Sequence, residues 1–175
     1  MAKLRKMLGD IRSEECTALM RLIETQSKHT LAAWAIDYAC TRYLPIFQAE
    51  FPEDGRLEAT AEACREHLAG GRTLAALKPL LREGAQAARE LEGHPAAQAA
   101  ARAVATACAA VQTPTNALGF LIYGAAAAVY HQEGTAQPAE VYDHLAALEL
   151  RRALRSLEAA ALPDEPNPVQ VNWNC

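Results

Sequence analysis

Cys64 and His67 stand three positions apart, a spacing that sets a thiol and an imidazole on one helical face and supplies half of a zinc site. A closed site needs four ligands, and the other histidines (His29, His94, His131, His144) are scattered singly. Neither an HExxH motif nor the Glu-x-x-His pair of a di-iron bundle occurs, so no metal is expected. Gly119 and Gly124 have the spacing of a P-loop's flanking glycines, but Ala125 stands where the lysine belongs and no strand precedes them. They read as close-packing positions in a buried helix. The dinucleotide fingerprint and the serine-hydrolase elbow are also missing, and a cysteine with a histidine elsewhere nominates no nucleophile. These residues lead to the expectation of a protein that is not an enzyme and holds no cofactor.

Charge placement says more. Asp54, Glu58, Glu62 and Glu66 recur every four residues along the third expected helix. Like charges at that spacing repel by ~0.2–0.5 kcal/mol per pair. From Gln48 to His67 six acids, with Glu50 and Glu53 included, face only Arg56 and Arg65, a local net of −4 that equals the excess of the whole chain. The row is either a solvated face or an acidic patch that steers a basic partner. Arg151, Arg152 and Arg155 form the converse cluster, expected to pair with a neighbouring helix rather than bind an anion.

Two polar sites remain. In Thr113-Pro114-Thr115-Asn116 either threonine has the side-chain oxygen of a helix cap, Pro114 suits a first turn, and Asn116 adds a polar contact. The segment is a tight helix–helix connection or a ligand or partner contact. Trp34 and Tyr38, one turn apart, read as core, and Asp37 beside them requires a partner if it is buried.

The elements that carry these residues are all helical. Ser13 before Glu14 and Glu15 starts a first helix with acids at the positive end of its dipole, and Leu19, Leu22 and Ile23 form its apolar face. Ser27 caps a second helix reaching about Gln48, which Pro45 should kink or end. The turn Pro52-Glu53-Asp54-Gly55 hands over to the third, which stops at Gly70-Gly71. Thr73 opens a fourth through Leu91, interrupted or kinked near Pro79. Ala96 to Gln112 is the fifth, the sixth runs from Thr115 to about Gln132, and the seventh from Pro138 to Ala161. Between Arg102 and Glu133 no Asp, Glu, Lys or Arg occurs, so the fifth and sixth helices should be adjacent, antiparallel and central. The prolines after Ala161 forbid a helix, and Val169, Val171 and Trp173 alternate with polar residues as in an extended arm. That arm is either docked on the body or offered to a partner through Trp173.

Alanine abounds while aromatics are 6% of the chain, so the apolar content comes from small helix formers and not from strand-forming runs. The expected fold is all-α: one soluble domain over residues 1–175, about seven helices, a flexible stretch at 1–12 and an extended tail at 163–175. A net charge of −4 argues against nucleic acid as a partner. The basic start, Lys3-Leu4-Arg5-Lys6, is followed by no apolar run, and Ala117–Tyr130 is well short of the ~20 residues that span a bilayer. Cys16, Cys40, Cys64, Cys108 and Cys175, without a CxxC pair, suit reduced thiols in the cytoplasm.

Several stretches together resemble a known family. They are Glu24-Thr-Gln-Ser-Lys28, Leu31-Ala-Ala-Trp-Ala-Ile-Asp-Tyr-Ala39, Ala96-Ala-Gln-Ala-Ala-Ala-Arg102, Thr113-Pro-Thr-Asn-Ala-Leu-Gly119, and Glu165-Pro-Asn-Pro168 with Trp173 and Cys175. In that order they are similar to the immunity-five-like immunity proteins of bacterial polymorphic toxin systems. The resemblance implies a cytoplasmic all-α protein that captures a cognate toxin stoichiometrically without catalysis. Members often carry histidine around the threonine-proline-threonine turn, where this chain has Gln112 and Asn116. The alternative from the residues alone is an oligomeric helical scaffold or a small-ligand-binding protein.

Overall fold

The computed structural model describes residues 3–174; Met1, Ala2 and the terminal Cys175 of the resemblance lie outside the described residues. Eight helices and no strand occur among them: α1 (Glu14–Ile23), α2 (Lys28–Arg42), α3 (Leu44–Glu50), α4 (Arg56–Leu68), α5 (Leu74–Arg89), α6 (Pro95–Ala109), α7 (Asn116–Glu133) and α8 (Ala139–Ala160). The all-α expectation holds. The eighth helix arises because Pro45 has no N–H to continue α2, so the chain breaks at Tyr43 and restarts as the short α3. Side-chain caps form where serine or threonine leads: Ser13, Ser27 and Thr73 accept from the amides of Cys16, Thr30 and Ala76. No interruption occurs at Pro79, which α5 carries inside one continuous helix.

α6 and α7 pack along one another at the centre, as their lack of charge requires. Eight residues of α6 are buried, six of them alanines, and the small side chains let the two backbones approach closely. α2, α3, α4 and α5 surround α6, while α8, α1 and α2 cover α7. The larger side chains fill the gap between α2 and α7, where Trp34, Tyr38, Tyr43 and Phe120 make mostly edge-to-face contacts with centroids 5.4–6.4 Å apart. Gly124 creates room for this cluster, because a Cβ there would overlap the Tyr43 ring. Gly119 has no such role: its added Cβ would meet Thr106 at 3.6 Å, an ordinary contact. Close packing therefore explains one of the two glycines.

The segments around Leu8 and Val169 are both pinned to the body. Leu8 is fully buried and its amide donates to Ile122 O at 3.2 Å, while the Tyr130 hydroxyl donates to Arg5 O at 2.7 Å. At the other end the buried Gln26 side chain donates to Leu162 O at 3.0 Å and accepts from Leu162 N at 2.8 Å. Val169 N then donates to Gln26 O at 2.9 Å, and Val169, Val171 and Trp173 turn inward while Gln170, Asn172 and Asn174 face out. This is the alternation that the sequence implies for a docked arm.

Candidate functional site

The acidic row is less uniform than its spacing. Asp54 precedes α4, because Gly55 is the helix's N-cap residue and helical geometry starts at Arg56. Its carboxylate accepts from the Arg56 backbone amide at 3.1 Å and from the Arg56 guanidinium at 2.7 Å, and that arginine also reaches Glu90 at 2.7 Å. The Arg56 guanidinium holds the Asp54 carboxyl below its usual range. Thus Asp54 ties the start of α4 to the end of α5, and only Glu58, Glu62 and Glu66 share the exposed helical row. Glu62 lies 3.5 Å from Arg65, which also bridges to Asp37 of α2 at 3.0 Å, and Glu66 holds Arg72 at 2.8 Å. Glu58 makes no ion pair among the described residues.

The Thr113–Asn116 turn corrects one expectation. Neither threonine caps α7 with its side chain; Thr115 already has helical φ and ψ, a geometry that directs its hydroxyl away from the free amides. Backbone carbonyls close the turn instead, with Thr113 O accepting from Asn116 N at 3.1 Å and Pro114 O from Ala117 N at 3.0 Å. Thr113 is exposed and Thr115 and Asn116 are half-buried, so their polar side chains stay available. Trp173 is half-buried and its indole N–H donates to Glu24 at 2.9 Å.

Cys64 and His67 diverge. The Cys64 thiol is buried beneath Cys108 O at 3.8 Å, whereas His67 Nδ1 lies 2.8 Å from Arg72 O and must carry the proton, since a carbonyl only accepts. No group of three or more metal-binding side chains occurs among the described residues. Of the arginine cluster, Arg151 pairs with Glu15 of α1 at 2.7 Å, as expected, while Arg152 and Arg155 form no ion pair among the described residues.

Arg152 instead lines an open groove of about 780 Å³ between α2 and α8, over a floor of Trp34 and Tyr38. The Trp34 indole donates to Ser156 Oγ at 3.0 Å, which ties the α2 side of the groove to α8. Arg42 stands at the rim and grips the buried Glu149 with both nitrogens, Nη2 to Oε2 at 2.6 Å, and Glu149 also accepts from the Tyr43 hydroxyl at 3.1 Å. The Tyr38 hydroxyl is buried beside this network without a hydrogen bond. Burial, and then the Glu149 charge, push its pKa up to about 12, so it stays a neutral donor. Sequence reading assigned Trp34 and Tyr38 to the core, which is half of the truth. Their second role was invisible because Ser156 and Arg152 lie on a helix more than a hundred residues away.

Among the described residues no helix is long and apolar enough to cross a membrane. No curated protein and no solved structure matches the chain. The family model described as "Imm-5 like putative immunity protein" matches residues 21–152, most of the chain from the end of α1 into α8, and the chain belongs to that family of immunity proteins.

Proposed function

We propose that this protein neutralises a cognate bacterial toxin by stoichiometric capture, with no chemistry of its own. The observation that carries the reading is the α2–α8 groove, because tryptophan, tyrosine and arginine around a concave floor are the composition of an interface hot spot. Most of its lining falls within the span matched by the family. In this reading the groove takes an apolar side chain of the toxin. The acids of α4 lie beside it, linked to its rim through the Asp37–Arg65 bridge, and face a basic region of the same partner.

The two surfaces have separable kinetic signatures. Thr41 is exposed on the groove wall, so Thr41→Trp fills the groove without touching the core. Against the toxin encoded beside this protein's gene, it should speed dissociation at least about tenfold, whereas replacing Glu58, Glu62 and Glu66 with Gln should mainly slow association at low salt. Wild-type affinity from both variants would move the partner face to the Thr113–Asn116 turn or the arm at Trp173. Failure of the wild-type protein to bind that toxin would end the proposal. The groove's size also suits a small apolar ligand, and a ligand that co-purifies with the protein and is displaced by Thr41→Trp would favour that second reading.

A further inference from the structure

A second cavity, sharing no residue with the groove, lies where the N-terminal segment crosses the end of α5 and the start of α6. It measures about 400 Å³, and its charged lining is Lys3, Arg5, Lys6, Arg89 and Arg102 against Glu92 alone. Arg5 is taken by Asp143 at 2.7 Å, but Lys3, Lys6, Arg89 and Arg102 form no ion pair among the described residues. In a chain of net charge −4 this is a local reversal of sign.

The cavity is held by the fold. The Tyr130 hydroxyl fixes Arg5 O, Leu8 N is bound to Ile122 O, and the Gln98 side chain donates to Ala88 O at 2.9 Å, which locks the first turn of α6 onto the last of α5. Arg102 is the telling member. It projects from the central, alanine-rich α6 between the buried Ala101 and Ala103, is itself half-buried, and makes neither an ion pair nor a hydrogen bond among the described residues. A half-buried guanidinium that holds no acid has its hydrogen-bonding fork open to a bound anion. Its planar fork matches two oxygens of one phosphate group. Pro95 places the positive end of the 15-residue α6 at the same cavity, which adds to the field.

We infer that this cavity is a binding site for a small phosphorylated molecule, with Arg102 gripping the phosphate in a two-pronged contact and Lys6 and Arg89 neutralising its remaining charge. The volume admits a phosphate or pyrophosphate group with a small organic body, within the ~300–1,000 Å³ usual for such ligands. This site stands independently of toxin capture.

Titration of the full-length protein with inorganic pyrophosphate at low salt, followed by calorimetry, tests it. One-to-one binding is expected, weakened about tenfold or more by Arg102→Gln and less by Lys6→Gln, which lies on an exposed segment and leaves the core alone. Lys28→Gln removes the same charge from an exposed position outside the cavity and should bind as wild type. Absence of heat at about 10 mM pyrophosphate overturns the proposal, as does equal weakening by Arg102→Gln and Lys28→Gln. Preferential binding of a short single-stranded oligonucleotide, unaffected by Arg102→Gln, would also overturn it and assign the cations to a nucleic-acid surface.

Discussion

The acid-rich face around α4 and the basic cavity at the start of α6 carry opposite charge and are built on opposite principles. On the acidic side three of the four carboxylates in the row already hold an arginine of the same chain: Asp54 has Arg56, Glu62 has Arg65, and Glu66 has Arg72. The buried Glu149 holds Arg42 in the same manner. On the basic side Lys6, Arg89 and Arg102 have no such partner among the described residues. A run of like charges in sequence is thus a poor guide to unspent charge in space. The conspicuous acids are partly paired within the chain, with Glu58 left to face a partner, whereas the cations gathered from three segments hold no acid among the described residues.

The largest effect should come from breaking a compensated pair whose acid is buried. Arg42→Ala leaves Glu149 charged, 6% exposed and without its bidentate partner, so chemical denaturation should show a loss of about 3 kcal/mol. A loss near zero would mean that Glu149 is rehydrated through the groove, and the contrast between the two faces would weaken.

Acid should act next, through the carboxylates held by arginines or hydrogen bonds. Glu15 is held below the usual range by a hydrogen bond from its own backbone amide and then by Arg151, and Asp54 by Arg56. A folded-state pKa below the unfolded one, about 4, contributes stability that is present above that value and lost as pH falls through the folded pKa. The melting temperature should therefore decline below about pH 4, and Glu15→Gln should flatten that decline. Arg102→Gln should retain it, since no carboxylate depends on Arg102.

A smaller effect is expected from replacing Glu58, Glu62 and Glu66 with Gln together. Relief of their mutual repulsion opposes loss of two exposed ion pairs, each worth little, so stability should stay within about 0.5 kcal/mol of wild type. A gain well above that in urea denaturation would show that Arg65 and Arg72 do not neutralise the row in solution. The smallest change belongs to Arg102→Gln without ligand, within about 0.5 kcal/mol and on the stabilising side. A clear loss of stability would reveal a structural partner for Arg102 and remove the motive for an anion site.

Much of the architecture was legible along the chain because it depends on local chemistry. Ser13, Ser27 and Thr73 cap helices because their oxygens reach amides three residues on, and Pro45 ends a helix because it has no amide to offer. The uncharged stretch between Arg102 and Glu133 had to be central, since it fills the second half of α6 and nearly all of α7 without a charged side chain. The alternation of Val169, Val171 and Trp173 announced an extended arm with one apolar side, and the structure docks that side on the body, although the family match ends at residue 152, before the arm begins. Locally the turn before α7 misled: Thr113 and Thr115 have the chemistry of a cap, but backbone carbonyls closed the turn first.

What the sequence by itself determined, then, is the helical class, most helix ends and the identity of the central pair, all consequences of interactions within a few residues or of composition. Tertiary structure decided where function can reside. Trp34 and Tyr38 become a groove floor only when α8 brings Ser156 and Arg152 over α2, and Arg102 becomes a candidate anion ligand only when Lys6 and Arg89 fold beside it. It also decided which cations lack an acid: Arg56, Arg65 and Arg72 hold acids within six residues along the chain, whereas Lys6, Arg89 and Arg102 form no ion pair among the described residues. A site requires groups to converge from separate segments, and that convergence is a property of the packed chain, which no local pattern encodes.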